Sequence, residues 1–308
     1  MISNQQIQYI LQLAETKSFS KAADLCFVTQ PTLSMQVKKA EEILGFSIFD
    51  RDKQPLSLTP LGKELIPALR EINEANNAVI NLSKKAGGTY MEELSVGIIP
   101  TISPYLIPMF YKQWKRELKH TRLIIKENNT EDILNLLEKR KIDFAIIAGP
   151  LSDPKWKTDE LYIEELLAYS LDEGQEVLKT KTLSDKKPWL LNSGNCLRSQ
   201  MMQFCKINDF SNSDWNFEGG NIELLIKMVD MNGGYTLVPD NYKPLIKNMK
   251  GNFHPIKDSA TGFSPARSII GLQAQRNTKS NTIQHLINSI RLELRTKPAK
   301  NTDILNWK

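Results

Sequence analysis

The chain has 308 residues, 41% of them hydrophobic, and a formal net charge of +5 at pH 7. That length suits two or three domains rather than one. No apolar run reaches the roughly 18 residues of a membrane span, and the polar start Met1-Ile2-Ser3-Asn4-Gln5-Gln6 lacks the basic-then-apolar pattern of a secretory signal, so a cytoplasmic protein with no membrane partner is expected.

Bulk charge does not mark a nucleic-acid surface. Over residues 1–62, Lys17, Lys21, Lys38, Lys39, Arg51 and Lys53 are matched by Glu15, Asp24, Glu41, Glu42, Asp50 and Asp52, so placement has to carry any case for DNA. The cysteines, Cys26, Cys196 and Cys205, are too few for a disulfide framework and leave room for reactive thiols. His120, His254 and His285 lie far apart, which argues against a histidine metal site. No metal or cofactor is expected.

Residues 4–16 predict an amphipathic helix, with Ile7, Ile10, Leu11 and Ala14 at helical spacing. Ser20 is a candidate cap for a second helix that places Ala22, Ala23 and Cys26 on one face. After Phe27-Val28-Thr29 a third helix runs from Gln30 to Leu44, with Pro31 in its first turn. Leu33, Val37, Ala40 and Leu44 form its buried stripe, and Gly45 ends it. A short helix, a turn and a second helix make a helix-turn-helix, whose second helix offers its N-terminal side chains to the major groove. Thr29, Gln30, Pro31, Thr32, Ser34, Gln36 and Lys38 occupy that position, and glutamine, hydroxyl and lysine side chains suit base edges and phosphates. Gly45–Leu58 reads as a wing, with Arg51 and Lys53 at its turn placed against the sugar-phosphate backbone. The pattern alone is equally compatible with a solvated polar face.

Thr59 and Pro60 open a long helix to Ala86. Leu65, Leu69, Ile72, Asn76 and Val79 follow the 4-3-4-3 spacing of a coiled-coil seam, with packing on its own domain as the alternative. Pro67 inside it predicts a kink. A dimer through this seam implies two DNA half-sites. Gly87-Gly88-Thr89 reads as a hinge.

From residue 93 strands and helices alternate. Strands are expected at 94–99, 123–126, 142–148, 189–191, 235–238 and 266–273, and helices at 104–118, 131–139, 196–207, 222–231 and 280–295. This order predicts parallel sheets with helices on both faces. Thr101 and Thr130 each follow a strand and precede a helix, where α/β sheets place ligands; a plain helix cap is the other role open to each. The basic end (Arg291, Arg295, Lys297, Lys300 and Lys308) reads as solvated.

Cys196 and Cys205 fall within one predicted helix. Nine steps put them on opposite faces and separate them by roughly 13 Å, whereas a disulfide needs Cα atoms within about 7 Å. The pair closes only if the helix unwinds, which is how a redox switch would work. Cys196 stands at the helix start, where the dipole and nearby Arg198 favour a thiolate. Two ordinary core cysteines remain the alternative on spacing alone.

Several motifs resemble the LysR-type transcriptional regulators: Phe19-Ser20-Lys21-Ala22-Ala23, Thr29-Gln30-Pro31-Thr32-Leu33-Ser34, Ile43-Leu44-Gly45, Ile48-Phe49-Asp50-Arg51 and Leu58-Thr59-Pro60-Leu61-Gly62. The resemblance implies an α/β protein with an N-terminal winged helix-turn-helix (1–58), a linker and dimerisation helix with hinge (59–88), a two-lobed regulatory domain of periplasmic-binding-protein type (89–300) and a tail (301–308). It places lobe I at 91–162 plus 269–300 and lobe II at 163–268. Its partners would be double-stranded DNA, a second copy of the chain in a dimer or tetramer, and RNA polymerase. Within the family, Cys196-Leu197-Arg198, Gln200 and Cys205, together with Ile99-Pro100-Thr101, Pro104-Tyr105-Leu106-Ile107-Pro108 and Glu127-Asn128-Asn129-Thr130, are similar to the OxyR peroxide sensors. That similarity implies hydrogen peroxide as the signal, with Cys196 peroxidatic, Cys205 resolving and Thr101, Thr130, Asn195 and Arg198 around the peroxide. Asn195 and Ser199 stand where the subgroup commonly has histidine and aspartate. A regulator that binds a small metabolite between the lobes, with inert cysteines, is the alternative. No Cys-x-x-Cys recycling pair accompanies the thiols, which argues against a thiol peroxidase, so no enzyme is expected.

Overall fold

The computed structural model describes residues 1–86, 91–173, 176–207, 221–294 and 300–306. The expected hinge Gly87-Gly88-Thr89 and the basic residues Arg295, Lys297 and Lys308 lie outside these. The chain forms two compact units, Met1–Met91 and Glu92–Lys308. Among the described residues no helix is long and apolar enough to cross a membrane.

The first unit contains α1 (Asn4–Thr16), α2 (Phe19–Leu25), α3 (Gln30–Leu44), β1 (Phe49–Asp50), β2 (Ser57–Leu58) and α4 (Pro60–Ala86). Ser3 and Gln6 form a capping box that starts α1. Ser18, not Ser20, caps α2, and its side chain accepts from Lys21 N. Gly45, in the left-handed region at φ 78°, ends α3. Ile7, Ile10, Leu13, Ala22, Ala23, Leu33, Val37 and Ala40 fill one core with Ile48 and Phe49. β1 and β2 pair antiparallel as the wing, Phe49 against Leu58.

Helix α4 runs through Pro67 without interruption. Its first half serves the head: Ile66 and Leu69 are buried in the head core and Leu65 packs against it. Further along, Ile72, Val79, Ile80 and Leu82 are exposed, and Asn76 accepts a hydrogen bond from Asn4 Nδ2 at 3.1 Å. The seam read from the sequence is thus divided, with self-packing before Ile72 and an uncovered apolar face after it.

The second unit carries β3 (Glu92–Ile98), α5 (Ser103–Glu117), β4 (Thr121–Glu127), α6 (Thr130–Glu138), β5 (Phe144–Ala148), β6 (Trp156–Ser170), β7 (Leu178–Lys179), α7 (Thr180–Leu183), α8 (Cys196–Cys205), α9 (Ile222–Asn232), β8 (Tyr235–Pro239), a 3-10 turn (Asp240–Leu245), β9 (Asn252–Lys257), β10 (Ser264–Ala274), α10 (Ser280–Glu293) and β11 (Thr302–Ile304). β4, β3 and β5 are parallel, as expected. The rest of the sheet is mixed, because β10 runs antiparallel to β5 and β6, and β6 continues antiparallel to β8 and β9. The long strand β6 thus connects β10 to β8 and β9, and its register with β10 shifts at Ile269/Ile270. Residues 189–191 are not a strand: Pro188 forms an isolated bridge to Tyr235 and Trp189 N donates to Tyr235 O.

β11 lies parallel to the start of β10. Leu305 is buried, its N–H donates to Ala266 O, and its carbonyl accepts from Gln200 Nε2 in α8 at 3.2 Å. Arg291 is half-buried, and its Nε donates to Glu160 O at 2.7 Å.

Candidate functional site

The N-terminal unit presents α3 through its first turns. Thr29, Gln30 and Pro31 are exposed, Thr32, Ser34 and Gln36 half-buried, and Lys38 exposed. Thr29 is the N-cap: its Oγ1 accepts from Thr32 N at 3.4 Å and lies 2.8 Å from Thr32 Oγ1. Gln36 is engaged within the head, its Oε1 accepting from Gln6 Nε2 at 3.2 Å. One buried carboxylate fixes α3 to the wing. Glu41 Oε1 accepts from the amides of Ile48 at 2.8 Å and Phe49 at 3.2 Å, and Oε2 accepts from Arg51 Nη2 at 2.9 Å. Arg51 also lies over the Phe19 ring. It therefore braces the wing, with its side chain still 43% exposed. Lys53 pairs with Asp50 at 3.2 Å and stays exposed.

In the second unit Cys196 opens α8 and Cys205 closes it, both buried and both free thiols. The intact helix keeps them apart, since its rise over nine residues is about 13 Å. Asn195 is the N-cap residue but makes no side-chain cap bond; its amide donates to Asn192 Oδ1. Arg198 Nη1 donates to Leu191 O at 2.8 Å.

A cation that reaches the Cys196 sulfur is Arg267 on β10, a residue the sequence patterns did not single out. Its Nη1 donates to Thr101 Oγ1 at 2.9 Å and lies 4.0 Å from Cys196 Sγ, while Nη2 donates to Thr101 O at 3.2 Å. Its Nε donates to Glu164 Oε1 on β6 at 2.6 Å, and neither side chain is exposed to solvent. Glu164 Oε2 accepts from Tyr105 OH at 2.8 Å and from Asn241 Nδ2 at 3.2 Å. Tyr105 and Tyr162 hydroxyls meet at 2.5 Å. Five separate segments thus converge on a buried, hydrogen-bonded ion pair, the arrangement that offsets the cost of burying charge.

Burial dominates the acidity of both thiols. It pushes Cys196 above the ordinary thiol range, although Arg267 and the N–H of Leu197 pull the other way. The low thiol pKa expected from the helix start is therefore not met in this state. Cys205 is pushed up to about 12 by burial, against a hydrogen bond with Tyr235. The two threonines are not caps. Asn129 caps α6 through a bond from Asp132 N at 2.9 Å, leaving Thr130 Oγ1 buried without a hydrogen-bond partner. Thr101 instead receives Arg267. Both stand just beyond the carboxyl ends of the paired strands β3 and β4.

Residues 4–63 match the family described as bacterial regulatory helix-turn-helix protein, lysR family, and residues 87–295 match the LysR substrate binding domain. The chain is 30% identical to the HTH-type transcriptional regulator EstR of Acinetobacter baylyi, over 77% of this chain and 80% of that one. It is 31% identical to the hydrogen peroxide-inducible genes activator of Pectobacterium carotovorum, over 76% of this chain and 78% of that one. A full-length OxyR variant from Pseudomonas aeruginosa superposes with a TM-score of 0.75 at 27% identity, covering 97% of this chain and 99% of its own.

Proposed function

We propose that this chain, which belongs to the LysR family of helix-turn-helix transcriptional regulators, senses hydrogen peroxide through a reversible Cys196–Cys205 disulfide. The observation that carries the reading is the placement of Cys196 Sγ at the first turn of α8, 4.0 Å from an Arg267 nitrogen that also holds Thr101 Oγ1 at 2.9 Å. The Thr101 and Thr130 hydroxyls hold the peroxide, with Asn195 and Arg198 shaping the turn around it. The Cys196 thiolate attacks one peroxide oxygen and the O–O bond breaks. Sulfur keeps that oxygen as a sulfenic acid, and the departing hydroxide takes the thiol's proton and leaves as water. Cys205 then attacks the Cys196 sulfur, and its proton leaves with the sulfenic hydroxyl as a second water.

The disulfide requires α8 to unwind, so oxidation exchanges one packing of the sensing domain for another. We divide that domain into lobe I (91–162, 269–300) and lobe II (163–268). The repacking is relayed to a dimer or tetramer whose α3 helices, with Thr29, Gln30, Pro31, Thr32, Ser34, Gln36 and Lys38, read paired half-sites, while Arg51 and Lys53 lie on the wing. RNA polymerase is the downstream partner.

The test is intact-mass and peptide mapping of reduced protein after a brief, near-stoichiometric peroxide pulse. A loss of two hydrogens, mapped to a Cys196–Cys205 crosslink and absent in Cys196→Ser, supports the switch. Thiols that stay free until peroxide is in large excess would overturn it and point to a metabolite effector in the cleft.

A further inference from the structure

The Glu164–Arg267 pair lies too deep for solvent to supply a counter-ion. The guanidinium charge is therefore divided among the groups that touch it. Glu164 lies at 2.6 Å and Thr101 at 2.9 Å, and Cys196 sulfur is at the limit of contact, 4.0 Å. A charge held close to a carboxylate is less available to a sulfur farther off, since the attraction falls with distance and is strengthened by burial. The carboxylate is itself shared. Its second oxygen takes hydrogen bonds from Tyr105 on α5 and Asn241 in the turn after β8, and each donor draws off charge that would otherwise bind Arg267.

We infer that Glu164 is a positioning residue for the chemistry of Cys196: it competes with the sulfur for Arg267, and the Tyr105 and Asn241 donors weaken that competition. The inference rests on the proposed role of Cys196 and adds what sets the thiol's readiness. It assigns opposite effects to neighbouring residues. Removing the carboxylate leaves the thiolate as the counter-ion of Arg267 and makes the thiol more reactive. Removing either donor tightens Glu164 on Arg267 and makes it less reactive. Simple loosening of the packing would move all three changes the same way.

Among the described residues, the charged and titratable groups around the cluster are Tyr105 on α5, Tyr162 on β6, Asp240 before Asn241, Arg267 on β10 and Cys196 on α8. Burial, then the charge of Glu164, raises Asp240 to about 6, so thiol profiles are read above pH 7, where it no longer titrates. Both tyrosines are held well above their ordinary range by burial and stay protonated throughout.

The experiment is the pH profile of Cys196 alkylation by iodoacetamide in the full-length reduced protein, followed by mass spectrometry of its peptide. Glu164→Gln is expected to move the midpoint down by about one pH unit or more, and Asn241→Ala and Tyr105→Phe to move it up by a fraction of a unit. If Glu164→Gln does not fold, the upward shifts of the two donor variants carry the test. Shifts in one common direction, or unchanged profiles with lowered melting temperatures, would overturn the inference. Alkylation uses no peroxide, so wild-type protein that fails to form the disulfide sinks the peroxide reading and leaves this result standing.

Discussion

The Nη1 nitrogen of Arg267 stands 4.0 Å from the sulfur of Cys196, joining a strand near the end of the chain to the first turn of α8. The same side chain neutralises Glu164, so its loss has two consequences. Arg267→Gln is expected to cost about 3–5 kcal/mol, the usual penalty for stranding one partner of a buried ion pair. It is also expected to slow Cys196 oxidation. Denaturant melts and stopped-flow peroxide kinetics check the two separately, and a variant as stable and as fast as wild type would remove Arg267 from the site.

Gly62 is tied to one neighbour. A Cβ there would stand 2.2 Å from the carbonyl oxygen of Ile48, where backbone meets backbone and nothing flexible can yield. Gly62→Ala is expected to destabilise the N-terminal unit by about 1–3 kcal/mol and to weaken DNA binding by separating α4 from the wing. Thermal melts of the protein would show it, and an unchanged midpoint would mean that α4 can shift at no cost.

The exposed stretch of α4 predicts assembly. Val79→Asp adds a charge to the face that Ile72 and Leu82 leave uncovered. Sedimentation should show smaller species and operator affinity should fall, whereas melting of the head should hardly change, because Ile66 and Leu69 do the packing there. Unaltered sedimentation would place the self-association elsewhere.

Stability should respond to pH through Asp240. Its folded-state value of about 6 is raised by burial, then by Glu164, above the unfolded value of about 3.9. Between these values the folded chain keeps the proton and the unfolded chain has lost it, so this group's contribution falls as pH rises from about 4 through about 6. Asp240→Asn should therefore raise the melting temperature at pH 7.5 and lose that advantage at pH 4. An equal gain at both pH values would exclude ionisation as its source.

The head was legible because its signals are local: a proline in the first turn of α3 and Gly45 at its end act within a few residues, although the cap of α2 fell on Ser18 and not Ser20. Thr101 and Thr130 were legible for the same reason, as strand-to-helix junctions. Arg267 was not. A lone arginine in the run Ala266–Leu272 reads as an outward side chain, and only pairing with Glu164, 103 residues away, explains its burial. β6 was hidden too, since Asp159-Glu160 and Glu164-Glu165 interrupt its apolar pattern. Arg198 was named for its nearness along the chain, and its Nη1 is taken up by Leu191 O.

One helix holding both cysteines at its ends turns the proposed chemistry into a race. Once Cys196 becomes a sulfenic acid, Cys205 can capture it only after α8 has come apart, and until then a second peroxide competes to drive the sulfur on to the irreversible sulfinic acid. Burial of Cys196 slows that second encounter. The winding stability of ten residues thus acts as a timer: a helix that opens promptly makes a reusable sensor, and one that lingers makes a fuse.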